Sequence, residues 1–298
     1  MSQSSPNSET SPAAAPVSAP PAARKRRTAP PATSAASAPE DRERRQRVQA
    51  AETCLAVLKA LATLGGRASL TAIGAAVEES PAKVHRYLAS LIAEGLVEQD
   101  RHDTQYALGS EAIRVGLAAM RQNDPIRLAE PALLHLRETL QVTSFIAVMG
   151  NMGPTIVRFE EPSLPVTVNV RVGSVMSMLW SAAGRAFLGF MEPQPQVDVL
   201  LEQELGSASP ERRRLLHPSD PLGQLRQEIR SAGCASIRDL NLPGISAVAA
   251  PLLDYHGHVV AVLCALGASG GFDPSPQGPI AQAVCEQARL VSRSLGYR

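Results

Sequence analysis

Apolar positions along this chain recur first at helical spacing, then in alternation, then at helical spacing again. Leu55, Leu58, Leu61 and Ala62 fall on one helical face that stops at Gly65-Gly66. Leu70, Ile73 and Val77 repeat the pattern after Ser69, and Val84, Leu88 and Leu91 repeat it after Ser80-Pro81. Serine before a helix can accept from a first-turn amide, and proline at the first helical position gives up an N–H that has no helical partner anyway. Gly95 ends the third helix. Leu96 and Val97 lead into a hairpin that closes at Leu108 through the polar tip Arg101-His102-Asp103-Thr104. Three short helices and a hairpin in this order predict a winged helix-turn-helix over residues 47–109.

A further helix is predicted from Ser110 to about Gln122, with Ile113, Leu117 and Met120 on one side, before Asn123-Asp124-Pro125. It reads as a linker over residues 110–123 and a contributor to a dimer interface. Residues 124–298 form the second domain. Its first helix runs to about Gln141 with Leu128, Leu133, Leu136 and Leu140, and its last starts near Pro279 with Ile280, Val284, Val291 and Leu295 in a stripe. Between them, strands are predicted at 144–149, 155–159, 166–172, 235–237, 245–252 and 259–266. A short helix rich in small residues lies between Trp180 and Met191, and helices are expected at 196–205 and 222–232. The whole is an α+β chain whose second domain has a central antiparallel sheet with its helices on one face.

Residues 1–46 are rich in Ala, Pro and Ser and predict a disordered tail, because so little apolar surface cannot offset the entropy of ordering. Its basic knot Arg24-Lys25-Arg26-Arg27 reads either as a nonspecific DNA-touching arm or as a solvated segment. The formal charge of +1 divides into +4 for residues 1–47, −1 for 48–122 and −2 for 123–298. Diffuse attraction to phosphate is therefore not what the winged domain offers, and DNA contact must rest on a few placed groups. A recognition helix presents its N-terminal residues to base edges and phosphates, which selects Ser80, Lys83, His85 and Arg86, with Ser69 and Thr71 on the preceding helix and Arg101 and Gln105 on the wing.

Other chemistry is poorly supported. Cys54, Cys234, Cys264 and Cys285 are far apart in sequence and form no CxxC pair, which argues against a disulfide framework or a structural zinc site. His256-Gly257-His258 has metal-compatible spacing but no carboxylate or histidine cluster to complete it, and reads as a solvated turn. Gly267-Ala268-Ser269-Gly270-Gly271 lacks the Lys-Ser/Thr of a phosphate loop, and no GxSxG elbow occurs. No apolar run reaches the roughly 18 to 20 residues that span a bilayer, and the N-terminus lacks the apolar core of a signal peptide. A cytoplasmic, non-enzymatic protein without metal or cofactor is the expectation; a sensor or enzyme acting through the second domain without DNA is the alternative.

Three passages resemble the IclR family of bacterial transcription regulators, from about Thr53 to the C-terminus. They are Ser80 to Val97; Val172-Gly173-Ser174 with Ala182 to Leu188; and Pro243 to Leu252 with Val260 to Gly267. The resemblance implies a winged helix-turn-helix joined by a helix to a GAF-like effector-binding domain, in dimers that pair into tetramers on operator DNA. It also implies a small effector, commonly an organic or aromatic acid, bound near Ala182, Ala183, Gly184, Asp239, Ala247, Cys264 and Leu266. Members that hold small oxo-acids carry a cysteine where this chain has Ala247, serine-type residues at Cys264 and Leu266, and lysine at Arg185. An aliphatic group in place of a hydroxyl cannot bond an anion. A more apolar ligand follows, its body near Met178, Trp180 and Leu266 and its polar end at the Ala183-Gly184 amides.

Overall fold

The computed structural model describes residues 48–100, 102–162 and 170–298. The N-terminal tail with its basic knot, Arg101 of the wing, and most of the strand expected at 166–172 lie outside the described residues. Contacts divide the rest into two units, one taking the described residues up to Ala93 with Gln99–Ala107, the other Glu94–Glu98 with Leu108–Arg298.

The first unit contains α1 (Gln49–Thr63), β1 (Arg67–Ala68), α2 (Leu70–Val77) and α3 (Pro81–Ala93), and a small sheet of order β1-β3-β2 uses β2 (Val97–Gln99) and β3 (Tyr106–Leu108). Val84, Leu88 and Leu91 of α3 are buried, as are Ile73 of α2 and Val57 and Leu61 of α1, and the three helices pack on one another. The expected face of α1 is corrected here. Leu55 is 52% exposed and Ala62 faces solvent, while Val57 and Leu61, one turn apart, are inaccessible. Two residues subtend about 200° on a helix, so burying Val57 turns Leu55 outward. Ser69 Oγ accepts from the Ala72 amide at 3.2 Å and caps α2 as its sequence position predicts.

In the second unit, α4 (Ser110–Gln122) buries no residue, and Ile113, Leu117 and Met120 are all exposed. α5 (Pro125–Leu140) leads into β4 (Thr143–Gly150) and β5 (Gly153–Glu160). Next come α6 (Ala182–Phe190), α7 (Pro195–Ser207), α8 (Pro210–Arg213) and α9 (Pro221–Ala232). The chain closes with β6 (Ala235–Arg238), β7 (Ile245–Leu253), β8 (Val259–Ala268) and α10 (Pro279–Ser294). The five strands form one antiparallel sheet of order β5-β4-β8-β7-β6. Residues 170–172, the described part of the expected third strand, are not strand; the chain there makes one isolated bridge, Val175 to Thr155.

Both faces of this sheet are covered, which corrects the expectation of helices on one face. The period-2 alternation of β7 and β8 sends Val248, Ala250, Leu252, Ala261, Leu263 and Ala265 to a core with α5 and α10. Ala247, Ala249, Val262, Cys264 and Leu266 point the other way, to a core with α6, α7 and α9. A strand read as a near-continuous apolar run is one buried on both faces. Small residues let α6 settle close. A Cβ on Gly189 would sit 2.5 Å from Ile229 Cγ2 of α9, and one on Gly184 would sit 2.1 Å from the Ser177 carbonyl oxygen.

Candidate functional site

The first candidate surface is the N-terminal half of α3. Ser80 precedes the helix, and its carbonyl accepts from the amides of Lys83 and Val84 at 3.0 Å each. With Val84 and Leu88 pinned in the core, His85 and Arg86 are exposed and Lys83 is half-buried. Lys83 Nζ lies 2.5 Å from Glu79 Oε1, and that hydrogen bond holds its ammonium above the ordinary lysine range. Lys83 is thus fully charged but already partnered; Arg86 stands in no ion pair among the described residues. Thr71 is exposed on the first turn of α2, and Ser69 is engaged in its cap.

The wing carries a feature that sequence reasoning missed. Arg67 of β1 donates to Asp100 at 2.7 Å and to Asp103 at 3.3 Å. Asp100 also accepts from the His102 amide at 2.8 Å, and this bond, followed by Arg67, holds its carboxyl below the usual range. The Gln105 amide donates to Asp103 Oδ1 at 2.9 Å, so the backbone of Gln105 is committed to the turn while its side chain stays half-buried. Two carboxylates of the hairpin thus share the one Arg67 guanidinium.

The second candidate site is a small pocket, with about 20 Å³ of free volume, between the sheet and α6. Phe145, Ala247 and Leu266 form its floor; Ala182 and Ala183 of α6 and Met176 form one wall. Val170, Ile237, Asn241, Leu242 and Ile245 close it, and Ser181 and Asn241 are its polar side chains. Of the expected effector residues, the cavity brings together Ala182, Ala183, Ala247 and Leu266.

The other five sit elsewhere. Met178 is fully buried in the core and Trp180 lies beneath the Arg212 guanidinium, 5.4 Å from its ring centroid. The Gly184 amide is taken by Ser181 Oγ at 2.9 Å, which corrects its expected role as a free donor. Cys264 shares the core face next to Leu266 without reaching the cavity, and burial pushes its thiol far up. Asp239 is exposed, left-handed (φ 54°), and accepts from Ser269 Oγ at 2.6 Å. Asn241 and Leu242, from the loop after it, reach the cavity instead.

The wall at α6 is set by a carboxylate outside the cavity. Glu204 of α7 accepts from Ser177 Oγ (2.6 Å), the Met178 amide (2.7 Å) and the Leu179 amide (2.8 Å). Ser177 Oγ accepts in turn from the Trp180 amide at 2.9 Å, and Ser181 Oγ donates to the Ser177 carbonyl at 2.5 Å. Arg185 Nε donates to the Leu179 carbonyl at 2.7 Å. Burial pushes the Arg185 guanidinium down to about 10 against the opposing charge of Glu228, so it remains a cation at neutral pH. Arg212 donates to the Leu240 carbonyl at 3.0 Å and so joins α8 to the loop bearing Asn241 and Leu242. Among the described residues no group of three or more His, Cys, Asp and Glu side chains could hold a metal, and no helix is long and apolar enough to cross a membrane.

Comparison with known proteins places both units. Residues 50–101 match the model of the IclR helix-turn-helix domain, and residues 117–293 that of the bacterial transcriptional regulator IclR C-terminal domain. The crystal structure of Pseudomonas aeruginosa HmgR is similar with a TM-score of 0.75 and 39% identity, covering 84% of this chain and 99% of that one. The HTH-type transcriptional regulator BhcR of Paracoccus denitrificans is 26% identical over 84% of this chain and 88% of its own. The HTH-type transcriptional repressor AllR of Escherichia coli K12 is 26% identical over 84% of this chain and 91% of its own.

Proposed function

The chain belongs to the IclR family of bacterial transcriptional regulators, and from that membership we propose that it is an effector-responsive regulator of a catabolic operon for small organic or aromatic acids. Its operator is read by the first turns of α3, with Arg86, His85 and Lys83 as the placed polar groups. It acts in the cytoplasm as a homodimer, or a dimer of dimers, through the apolar stripe of α4, which buries nothing within its own chain. A ligand that binds one functional state more tightly than the other shifts operator affinity by that ratio.

The observation that carries the ligand class is the wall of the cavity. Ten of its twelve lining residues are apolar and no charged side chain lines it, so a hydrated small oxo-acid would lose water there without recovering its bonds. An aromatic or alkyl acid buries its body against Phe145, Leu266, Ile237 and Leu242. Its carboxylate meets Asn241 and the first-turn amides of Ala182 and Ala183, since helix N-termini favour anions. Calorimetric titration tests this with benzoate and phenylacetate against glyoxylate and pyruvate. The aromatic acids should bind, and stabilise the chain by about 2.7 kcal/mol at 100 times their dissociation constant. Tight binding of glyoxylate or pyruvate with none of the aromatic acids would overturn the assignment.

A further inference from the structure

One loop roofs the small pocket beside α6. β6 ends at Arg238 and β7 begins at Ile245, and between them Asn241 and Leu242 reach the pocket. The base of the loop is closed by the Asp239 amide, which donates to the Ile245 carbonyl at 3.0 Å. Both ends of the loop are left-handed, Asp239 at φ 54° and Gly244 at φ 78°. Ser269 holds the two ends, its hydroxyl donating to Asp239 Oδ1 at 2.6 Å and its amide to the Gly244 carbonyl at 2.8 Å. A non-glycine residue in this region is strained, so Asp239 keeps the conformation only while its partners hold it. The middle of the loop is tied at Leu240, whose carbonyl accepts from the Arg212 guanidinium of α8 at 3.0 Å.

Arg212 is itself firmly seated. Its guanidinium lies over the Trp180 ring, 5.4 Å from the centroid, where the π face attracts a cation. Trp180 is buried in the turn before α6, its amide donating to Ser177 Oγ. Arg213 fastens α8 to the end of α7, donating to the Ala208 carbonyl at 3.2 Å and the Gly206 carbonyl at 2.9 Å. One guanidinium thus bridges the turn at the pocket wall to the loop that roofs it. The pocket has about 20 Å³ of free volume, room for about one water. An aromatic ring cannot enter unless one side gives way. Phe145, Ala182 and Ala183 belong to the packed core, whereas the loop is exposed at Asp239 and from Leu242 to Gly244, so the loop is the side that moves.

Resting on the ligand reading above, we propose that the loop from Asp239 to Ile245 is the lid of the pocket and Arg212 its latch, a positioning residue that sets how often the lid opens. Opening breaks the bond to Leu240 and turns the chain about Asp239 and Gly244. Asp239 then relaxes from its strained conformation. Gly244 has no Cβ to resist the turn, and nothing stands within 4 Å of where one would be. The ligand enters beneath Leu242, and re-forming the latch brings Asn241 back to the ligand's polar end.

The test uses the full chain and begins without ligand. Hydrogen exchange, read by mass spectrometry that resolves single amides, is followed at Asp239, Ile245 and Ser269 in the parent, Arg212→Met and Arg212→Lys. Methionine keeps apolar cover on Trp180 but has no donor; lysine keeps a charged donor. Losing a charge-assisted bond should speed exchange at these amides roughly 10-fold or more in Arg212→Met, with partial recovery in Arg212→Lys and no change in the middle of β8. The second readout is stopped-flow mixing with benzoate, followed by the fluorescence of Trp180, the sole tryptophan of the chain. Association and dissociation should quicken together in Arg212→Met with little change in affinity, whereas a merely structural loss would quicken dissociation alone. Unchanged exchange at the loop amides, or an equal rise throughout the sheet, would overturn the proposal. Faster exchange with an unchanged association rate would overturn the loop's role as the entrance. Benzoate failing to bind all three proteins would count against the ligand class alone, because exchange decides lid and latch without it.

Discussion

Glu204 Oε2 lies 2.6 Å from the hydroxyl of Ser177, and the same carboxylate accepts the next two backbone amides. One side chain of α7 thereby satisfies the turn that launches α6, the helix that walls the cavity. Bonds to a charged acceptor contribute more than neutral ones, and donors left unpaired in a half-buried turn add their desolvation cost. Glu204→Ala should therefore cost about 3 kcal/mol, and Glu204→Gln, which keeps one acceptor oxygen, about half as much. Urea unfolding of the two variants measures this. Equal stability of Glu204→Ala and the parent would show that the turn does not depend on the carboxylate.

The α4 stripe makes a separate prediction. Ile113 is 61% exposed, Leu117 46% and Met120 45%, at the i, i+4, i+7 spacing of a helix that packs on something. The Ile113→Asp, Leu117→Asp double variant should lower the mass seen by sedimentation velocity to that of one chain while leaving helix content unchanged. An unaltered mass would remove α4 from the oligomer interface.

At the wing, pH should separate folded from loosened hairpin. The Asp100 carboxyl is depressed by the His102 amide and then by Arg67, so its contribution is present above the unfolded value, about 4, and is lost as pH falls through the folded value. An NMR titration should find Asp100 ionising below a free aspartate. Arg67→Ala should move it part of the way back, the His102 amide remaining. Asp100 ionising at the ordinary value in both proteins would contradict the described hairpin.

Local periodicity made the winged domain readable: Val84, Leu88 and Leu91 are spaced by one turn after a strong start, and all three are buried. It failed where two faces compete, as on α1, since Leu55 and Val57 are equally apolar and only the packing of α2 and α3 selects Val57. Strands 245–252 and 259–266 stood out as continuous apolar runs, but such a run does not say what covers its second face. Ala182, Ala183, Ala247 and Leu266 were legible through the family resemblance. Asn241, Leu242 and Met176 were not, because irregular loops carry no period. Nor could Glu204 be singled out, since its partners lie 25 to 27 residues away and a lone acid on a helix reads as solvated.

The most direct test of a regulator that reads DNA through α3 is a gel-shift titration on the DNA upstream of its own gene. The parent chain is compared with Arg86→Ala, Lys83→Ala and the double variant, each shown to melt at an unchanged temperature. A base or phosphate contact contributes roughly 1 to 3 kcal/mol. The double variant should therefore bind ~100-fold more weakly. Arg86→Ala should account for more of the loss than Lys83→Ala, because Lys83 must share its charge with Glu79. Undiminished affinity in the folded double variant would contradict the assignment of α3 as the recognition helix.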